Sequence, residues 1–342
     1  MNDPVRSAIS TLVAGGHLSE AAAEEALGAI LDGAASPVLI GALLVALRMR
    51  GERAAELAGF VRALRDRAVP VVAPEGTIDT CGTGGDAGGT FNISTATAIV
   101  TAAAGVPVAK HGNRAVSSRS GSSDVMAALG ISVETTPAAA EEALRTDGFA
   151  YLHAPDFHPG MRHPGPVRRE LGVRTAFNLC GPLASPARVR RQLVGVADPA
   201  AAGEVAEALR LLGTERAFVV FGEGIDELPL DGSGTILDVR PDGVERRSAD
   251  PLAVGLDRAP TAALAGGTPE ENAARIVAIL DGGETGPARD GVVLNTAAAL
   301  VVADRAADLT AGVALASATI DSGAARARLD RLRSRAGQGA TA

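Results

Sequence analysis

Cysteine is nearly absent from this 342-residue chain, and it has neither a long basic run nor an apolar run of membrane-spanning length. The two cysteines, Cys81 and Cys180, stand in apolar surroundings without a Cys-x-x-Cys spacing. They read as reduced core thiols of a cytoplasmic protein, not as a disulfide frame. No Lys/Arg run of five or more occurs, and 32 basic against 40 acidic residues leave a net charge of −8. That balance disfavours a nucleic-acid partner, while local positive sites can still hold small anions. The opening MNDPVRSAIS has no apolar signal core. Every apolar run stops well short of the ~20 residues needed to cross a membrane, so no membrane segment is expected. What is present is an apolar fraction of 46%, ordinary for a globular chain. At this length it suffices for a large α/β unit or two domains.

Residues 1 to about 70 carry helical periodicity without strand signals. Ser19 caps a predicted helix from Glu20 to Leu31 that stops at Gly33, and Ser36-Pro37 opens another that runs to Gly51. In ERAAELAGFVRALRDRA, Leu57, Phe60, Val61 and Leu64 share one face. The stretch VLIGALLVALRM is apolar almost all round, which calls for burial against other helices or a partner subunit.

After VPVVAP the pattern changes to short β-branched runs alternating with Ala-rich helices. Strands are predicted at Ile78–Cys81, Val106–Lys110, Phe149–His153, Gln192–Val196 and Arg216–Phe221. Helices are predicted at Ser94–Ala104, Ser122–Leu129, Pro137–Thr146 and Pro199–Leu212. This alternation predicts an α/β fold: a small N-terminal helical domain, then a large domain with a mostly parallel central sheet and crossover helices. Residues 232–247 predict a short hairpin excursion turning at Pro241, Asp242 and Gly243, and the last ~75 residues return to helices. The closing RARLDRLRSRA reads as a solvated helix face.

Four stretches carry chemistry. DTCGTGGDAGGTFNISTATA, Asp79 to Ala98, places a glycine loop between a strand and a helix N-terminus, an anion-binding arrangement. It matches neither G-x-x-x-x-G-K-[ST] nor G-x-G-x-x-G, and alone it serves equally as a tight structural turn. The next strand ends in KHGNR; at the carboxyl edge of a doubly wound sheet Lys110, His111 and Asn113 should face the glycine loop. The stretch HPGMRHPGPVRRELGVRTAFNLCGPLASPA, residues 158–187, has neither helical nor strand period and predicts a long functional loop. It offers Arg162, Arg168, Arg169 and Arg174 to carboxylates or phosphates, while His158 and His163, five apart, suit zinc poorly. In FGEGIDELPLDG, Asp226 and Glu227 follow a strand end and suit a hard divalent cation, although taken alone the pair reads more simply as an acidic surface turn.

Together GTGGD (Gly82–Asp86), NIST (Asn92–Thr95), KHGNR (Lys110–Arg114), the segment from His158 to Leu183, Asp226-Glu227 and LNTAAAL (Leu294–Leu300) resemble the anthranilate phosphoribosyltransferases. The segments are long, collinear and spread over nearly the whole chain, whereas GTGGD alone would also fit the pyrimidine nucleoside phosphorylases. The resemblance implies transfer of phosphoribosyl from phosphoribosyl pyrophosphate to anthranilate, in tryptophan biosynthesis. It implies that Gly82, Gly84, Gly85, Asp86, Thr90, Asn92, Ser94, Thr95, Lys110 and Ser122 bind phosphoribosyl pyrophosphate. Anthranilate is then met by Gly82, His111, Asn113 and Arg168, with Arg168 on its carboxylate and His111 as the proton acceptor to test. Mg2+ falls to Ser94, Asp226 and Glu227. The implied architecture is a homodimer formed through a helical domain, residues 1–73, to which a segment at about 163–187 returns, and an α/β domain over residues 74–342.

Overall fold

The computed structural model describes residues 3–84, 89–114, 119–222 and 224–339. Four helices come first: α1 (Pro4–Val13), α2 (Glu20–Leu31), α3 (Pro37–Arg50) and α4 (Ala54–Asp66). Their starts are set locally. Side chains of Asp3, Ser19 and Ser36 accept first-turn amides, and Pro4 and Pro37 occupy the first helical positions. Helix α1 has no counterpart among the predicted helices, although Asp3-Pro4 carries the same cap-and-proline signal as Ser36-Pro37. Leu57, Phe60, Val61 and Leu64 are all buried, as their spacing predicts. Glu56 ties α4 to the entry of α2 by accepting Leu18 N (2.8 Å) and Arg53 N (2.8 Å).

The chain then alternates through β1 (Ile78–Gly82), α5 (Ile93–Ala103), β2 (Val108–Gly112), α6 (Ser122–Ala128), α7 (Pro137–Asp147) and β3 (Phe149–His153). A helical segment follows with α8 (Ala154–Phe157), α9 (Pro164–Leu171) and α10 (Ala176–Cys180). The sheet resumes with β4 (Arg191–Gly195), α11 (Pro199–Leu211), β5 (Arg216–Phe221), β6 (Gly234–Arg240) and β7 (Gly243–Ala249). Helices α12 (Pro269–Leu280), α13 (Pro287–Val302), α14 (Leu309–Asp321) and α15 (Ala324–Gly339) close the chain.

The seven strands run in the order β3-β2-β1-β4-β5-β6-β7, the first five parallel and the last two antiparallel. Because β1 to β3 build outward on one side and β4 and β5 on the other, strand order reverses between β1 and β4. A doubly wound sheet opens a crevice at that point, beyond the carboxyl ends of the strands. Alternate side chains serve opposite faces. Leu193, Phe218, Val220 and Ile236 join the core formed with α5 and α12–α15, and Val194, Val219, Leu237 and Val239 join the core shared with α11 and α1–α4.

Three sequence expectations are corrected. The 232–247 hairpin is no excursion: β6 pairs antiparallel with β5 and extends the sheet. The 158–187 stretch is not a structureless loop. It folds into α9, α10 and two 3-10 turns, Pro159–Arg162 and Gly181–Leu183, each helix too short to show a period. Proline in the first turn of α9 and of both 3-10 turns, and Gly172 at φ +63° after α9, set their limits. The basic tail is not merely solvated, because Leu329 and Leu332 of α15 are buried in the core. Its arginines cap other helices: Arg328 donates to Ala102 O (3.1 Å) and to Asp147 O, and Arg333 to Leu129 O (2.6 Å). Cations satisfying the last carbonyls of α5, α6 and α7 complement those helix dipoles. Arg328→Met keeps the apolar stem and removes the donors. It should destabilise the fold by about 1.5–3 kcal/mol, read as a lower urea midpoint; an unchanged midpoint would return the tail to plain solvation.

Candidate active site

At the reversal point Gly82 ends β1 directly opposite Gly195 at the end of β4. Both must be glycine. A Cβ on Gly82 would collide with the Asp226 carboxylate, and one on Gly195 with the Asp226 backbone carbonyl. The segment after β5 therefore lies down across the two strand ends, and Asp226 and Glu227 are buried, at 9% and 8% exposure, not placed on a surface turn. Asp226 Oδ2 accepts the Gly84 amide (2.7 Å) and Glu227 Oε1 the Ser94 amide (3.0 Å). One acid thus fixes the glycine loop and the other the first turn of α5. Asn295 of the LNTAAAL stretch holds the next residue, accepting Leu228 N (2.9 Å) and donating to Leu228 O (3.1 Å).

Beneath this edge Lys110, 1% exposed, donates Nζ to Thr80 O (2.6 Å) and Ser94 Oγ (3.4 Å). Burial lowers the Lys110 pKa, opposed mainly by the nearby Asp79. Burial likewise pushes the Asp79 carboxyl up to about 7, opposed by Lys110 and by the His111 amide that Asp79 Oδ1 accepts (3.2 Å). Asp79 thereby holds the end of β2, where His111 leads into Asn113.

Two cavities meet here. The first, about 270 Å³, is lined by Gly82, Gly84, Thr90, Asn92, Ser94, Lys110, His111, Asn113, Ser122, Asp226 and Glu227. All of these are residues that the sequence assigns to the site. Thr95, assigned with them, is wholly buried within α5 and does not line it. Gly85 and Asp86 lie outside the described residues. Asn92, before α5, accepts Ser120 Oγ (3.0 Å) and Asn272 Nδ2 (3.0 Å). Ser122 Oγ bonds to the Tyr151 hydroxyl (2.9 Å) and donates to Asn113 O (3.3 Å), joining the first turn of α6 to the end of β2. Thr90 bridges Ala265. The amino end of α5 and the glycine loop so bound a chamber suited to a polyanion.

The second cavity, about 500 Å³, shares Gly82, His111, Asn113 and Asn178 with the first and extends between α9 and α10. Its wall holds Arg162, Arg168 and Arg169, the apolar Leu64, Met161 and Phe177, and, among the described residues, no carboxylate side chain. The Arg168 guanidinium lies 4.8 Å above the Phe177 ring, and burial lowers its pKa. His111 and His158 face one another with ring centroids 5.2 Å apart. Burial, with His158 beside it, brings His111 down to about 3, and burial brings His158 to about 4, so both imidazoles are neutral at physiological pH. The His111 ring is therefore a weak base in this setting. A cationic slot with an aromatic and aliphatic wall, joined to an anion chamber, can hold an aromatic acid beside a phosphorylated group.

Some contributors were not predictable from local pattern. Gly195 acts only through partners distant in sequence, Asn272 joins the distant Asn92 to the Gly267 amide, and Asn178 stands at the junction as the third residue of a capping box with Thr175. Arg174, one of four arginines that the sequence offers, turns to the glycine loop and not to the second cavity.

Comparison with known proteins agrees with the layout. Residues 74–326 match the model of the glycosyl transferase family, a/b domain, and residues 6–68 that of the glycosyl transferase family, helical bundle domain. The anthranilate phosphoribosyltransferase of Thermomicrobium roseum is 52% identical over 96% of each chain. That of a Roseiflexus species is 49% identical over 98% of this chain and 100% of its own. Among solved structures, the anthranilate phosphoribosyltransferase of Thermus thermophilus superposes with a TM-score of 0.91 at 46% identity, covering 98% of this chain and 99% of that one. The Saccharomyces cerevisiae enzyme in complex with PRPP and Mg gives 0.89 at 28% identity over 98% of each. On this sequence and structural likeness across nearly its whole length, the chain belongs to the anthranilate phosphoribosyltransferase family.

Proposed function

We infer that the protein transfers the phosphoribosyl group of 5-phosphoribosyl 1-pyrophosphate to the amine of anthranilate, releasing pyrophosphate, in tryptophan biosynthesis. The observation that carries this is the meeting of an anion chamber and a cationic aromatic slot at Gly82, His111 and Asn113. Relatives solved with PRPP and Mg, and with 4-fluoroanthranilate, support the pairing of substrates.

The residues divide the work. The glycine loop and the first turn of α5 receive the pyrophosphate, with Lys110 and Ser122 at the walls of the chamber. Displacement at the anomeric carbon moves negative charge to the leaving group, where the fixed positive end of the α5 dipole lowers the barrier without reorganising. The family's Mg2+ fits the donors present: Ser94, Asp226 and Glu227 supply hard oxygens, and Glu227 already bonds to the Ser94 amide. Among the described residues no group of three or more His, Cys, Asp or Glu could hold a metal by itself. Such a partial set is what Mg2+ uses when substrate phosphates complete its shell, where it would neutralise the departing pyrophosphate. Arg168 pairs with the anthranilate carboxylate and aims the neutral amine, a matter of positioning more than of acid–base chemistry.

Arg168→Ala should weaken anthranilate use by ~10- to 100-fold through loss of a charge-assisted pair, with phosphoribosyl pyrophosphate use changed much less. Equal losses for both substrates would assign Arg168 to structure or to phosphate. The functional reading itself is tested by mixing protein, Mg2+ and both substrates and following anthranilate fluorescence. Loss of signal that requires phosphoribosyl pyrophosphate is expected, and a stable signal with phosphorolysis of a pyrimidine nucleoside would refute it.

The protein acts as a cytoplasmic homodimer through residues 1–73. Supporting this, α3 exposes Val38, Ala42, Val45 and Met49, an apolar stripe at helical spacing, with Val38 79% and Met49 82% exposed. The segment at 163–187 returns to this unit: α9 packs on α3, α10 on α3 and α4, and Arg65 of α4 donates to Leu183 O (2.7 Å). Both cysteines are unpaired and buried, in keeping with a reducing compartment. Light scattering at micromolar concentration should give twice the 34.3 kDa chain mass; the monomer mass would remove the dimer.

A further inference from the structure

The glycine loop is held from a direction that the substrate roles above do not use. Arg174 donates Nη1 to Gly84 O (2.8 Å) and Nη2 to Thr83 O (3.3 Å). Of the amides of the same two residues, Thr83 N donates to Gly195 O (2.9 Å), and Gly84 N, in one peptide with Thr83 O, donates to Asp226 Oδ2 (2.7 Å). The two amides and two carbonyls are thus all engaged, and Gly84 at φ +63° adopts a backbone that favours glycine. A carbonyl oxygen turned toward a polyanion repels it. A guanidinium that draws two successive carbonyls to itself prevents that, and its planar fork matches their geometry as a single ammonium cannot.

Arg174 is itself placed by the aromatic slot. It stands between Gly172, the left-handed cap of α9, and Thr175, the N-cap of α10, whose amide is held by Asn178 Oδ1 (3.0 Å). Helix α9 carries Arg168 and α10 carries Phe177, over which Arg168 lies. The same short connection therefore touches the wall of one cavity and the loop of the other.

Resting on the phosphoribosyl-transfer reading, we propose that Arg174 is a positioning residue: it sets the orientation of the Thr83 and Gly84 carbonyls for pyrophosphate. Arg174→Ala and Arg174→Lys should each raise KM for phosphoribosyl pyrophosphate by roughly 10- to 100-fold. KM for anthranilate should stay within about threefold, well below the tenfold that one charged hydrogen bond is worth. Added guanidinium ion should restore part of the alanine variant's loss and none of the lysine variant's. A lysine variant equal to wild type would show that charge alone suffices and would overturn the fork. Equal rises in both KM values, or a lower active fraction with unchanged KM values, would overturn it in favour of a purely structural arginine. If the alanine variant does not fold, the lysine variant decides by the same criteria. Wild type without transferase activity refutes the functional reading; active wild type with unaltered Arg174 variants refutes this inference alone.

Discussion

Changing both acids of the segment after β5, as Asp226→Asn with Glu227→Gln, should reduce kcat/KM by on the order of 10²–10³ while the protein remains folded. Amide side chains match the carboxylates in volume and keep an oxygen to accept the Gly84 and Ser94 amides, so the glycine loop and the start of α5 retain their anchors. What disappears is negative charge, and with it the hard anionic donors that a divalent cation requires. With both anchors kept, the variant without metal should melt close to the wild-type temperature. The separation comes on adding ligand. Saturating Mg2+ with phosphoribosyl pyrophosphate at about 100 times Kd should stabilise wild type by about 2.7 kcal/mol, and the variant should lose most of that shift. A variant that keeps both the shift and the rate would make the acids anchors of the loop and nothing more.

The second large effect is on folding. Gly195→Ala puts a methyl group where the Asp226 carbonyl lies, and both partners are backbone, so neither a rotamer change nor a small side-chain shift relieves the overlap. Either β4 leaves its register with β1 or the segment 224–227 lifts from the strand ends. Overpacking of this kind should cost about 3–5 kcal/mol, the range reserved for severe core changes. At about 2–4 °C per kcal/mol for a domain of this class, the midpoint should fall by roughly 6–20 °C, with activity lost in the protein that remains folded. Scanning calorimetry checks this directly. A Gly195→Ala variant with the wild-type midpoint would mean that Asp226 does not lie across β4.

Much of this arrangement is legible in the sequence because the relevant signals are local. Ser36-Pro37 marks a helix start in any context, and the alternation of β-branched runs with Ala-rich helices demands a parallel sheet. Once the sheet is doubly wound, the residues after Cys81 and Lys110 must share its carboxyl edge. The parts not legible depend on partners far apart in the chain. Arg328 and Arg333 look like a solvated basic face until α15 is docked against the ends of α5, α6 and α7. The acids at 226 and 227 look like a surface turn because nothing near them announces that Gly82 and Gly195 clear a bed for them. The short helices of 154–183 are built from prolines and glycines at their ends, which read locally as loop. Thr95 shows the opposite error: it belongs to a recognisable motif, yet its side chain points into the interior of the fold and not to the cavity.

The central claim is that one chamber releases pyrophosphate while the adjoining slot delivers an aromatic amine to the same carbon. Its most direct test is to quantify pyrophosphate released and anthranilate consumed in a single reaction of the wild-type protein, with and without Mg2+. One pyrophosphate per anthranilate, both abolished by removing the metal, is the expected result. Pyrophosphate released without loss of anthranilate, or anthranilate consumed at full rate without metal, would contradict the account.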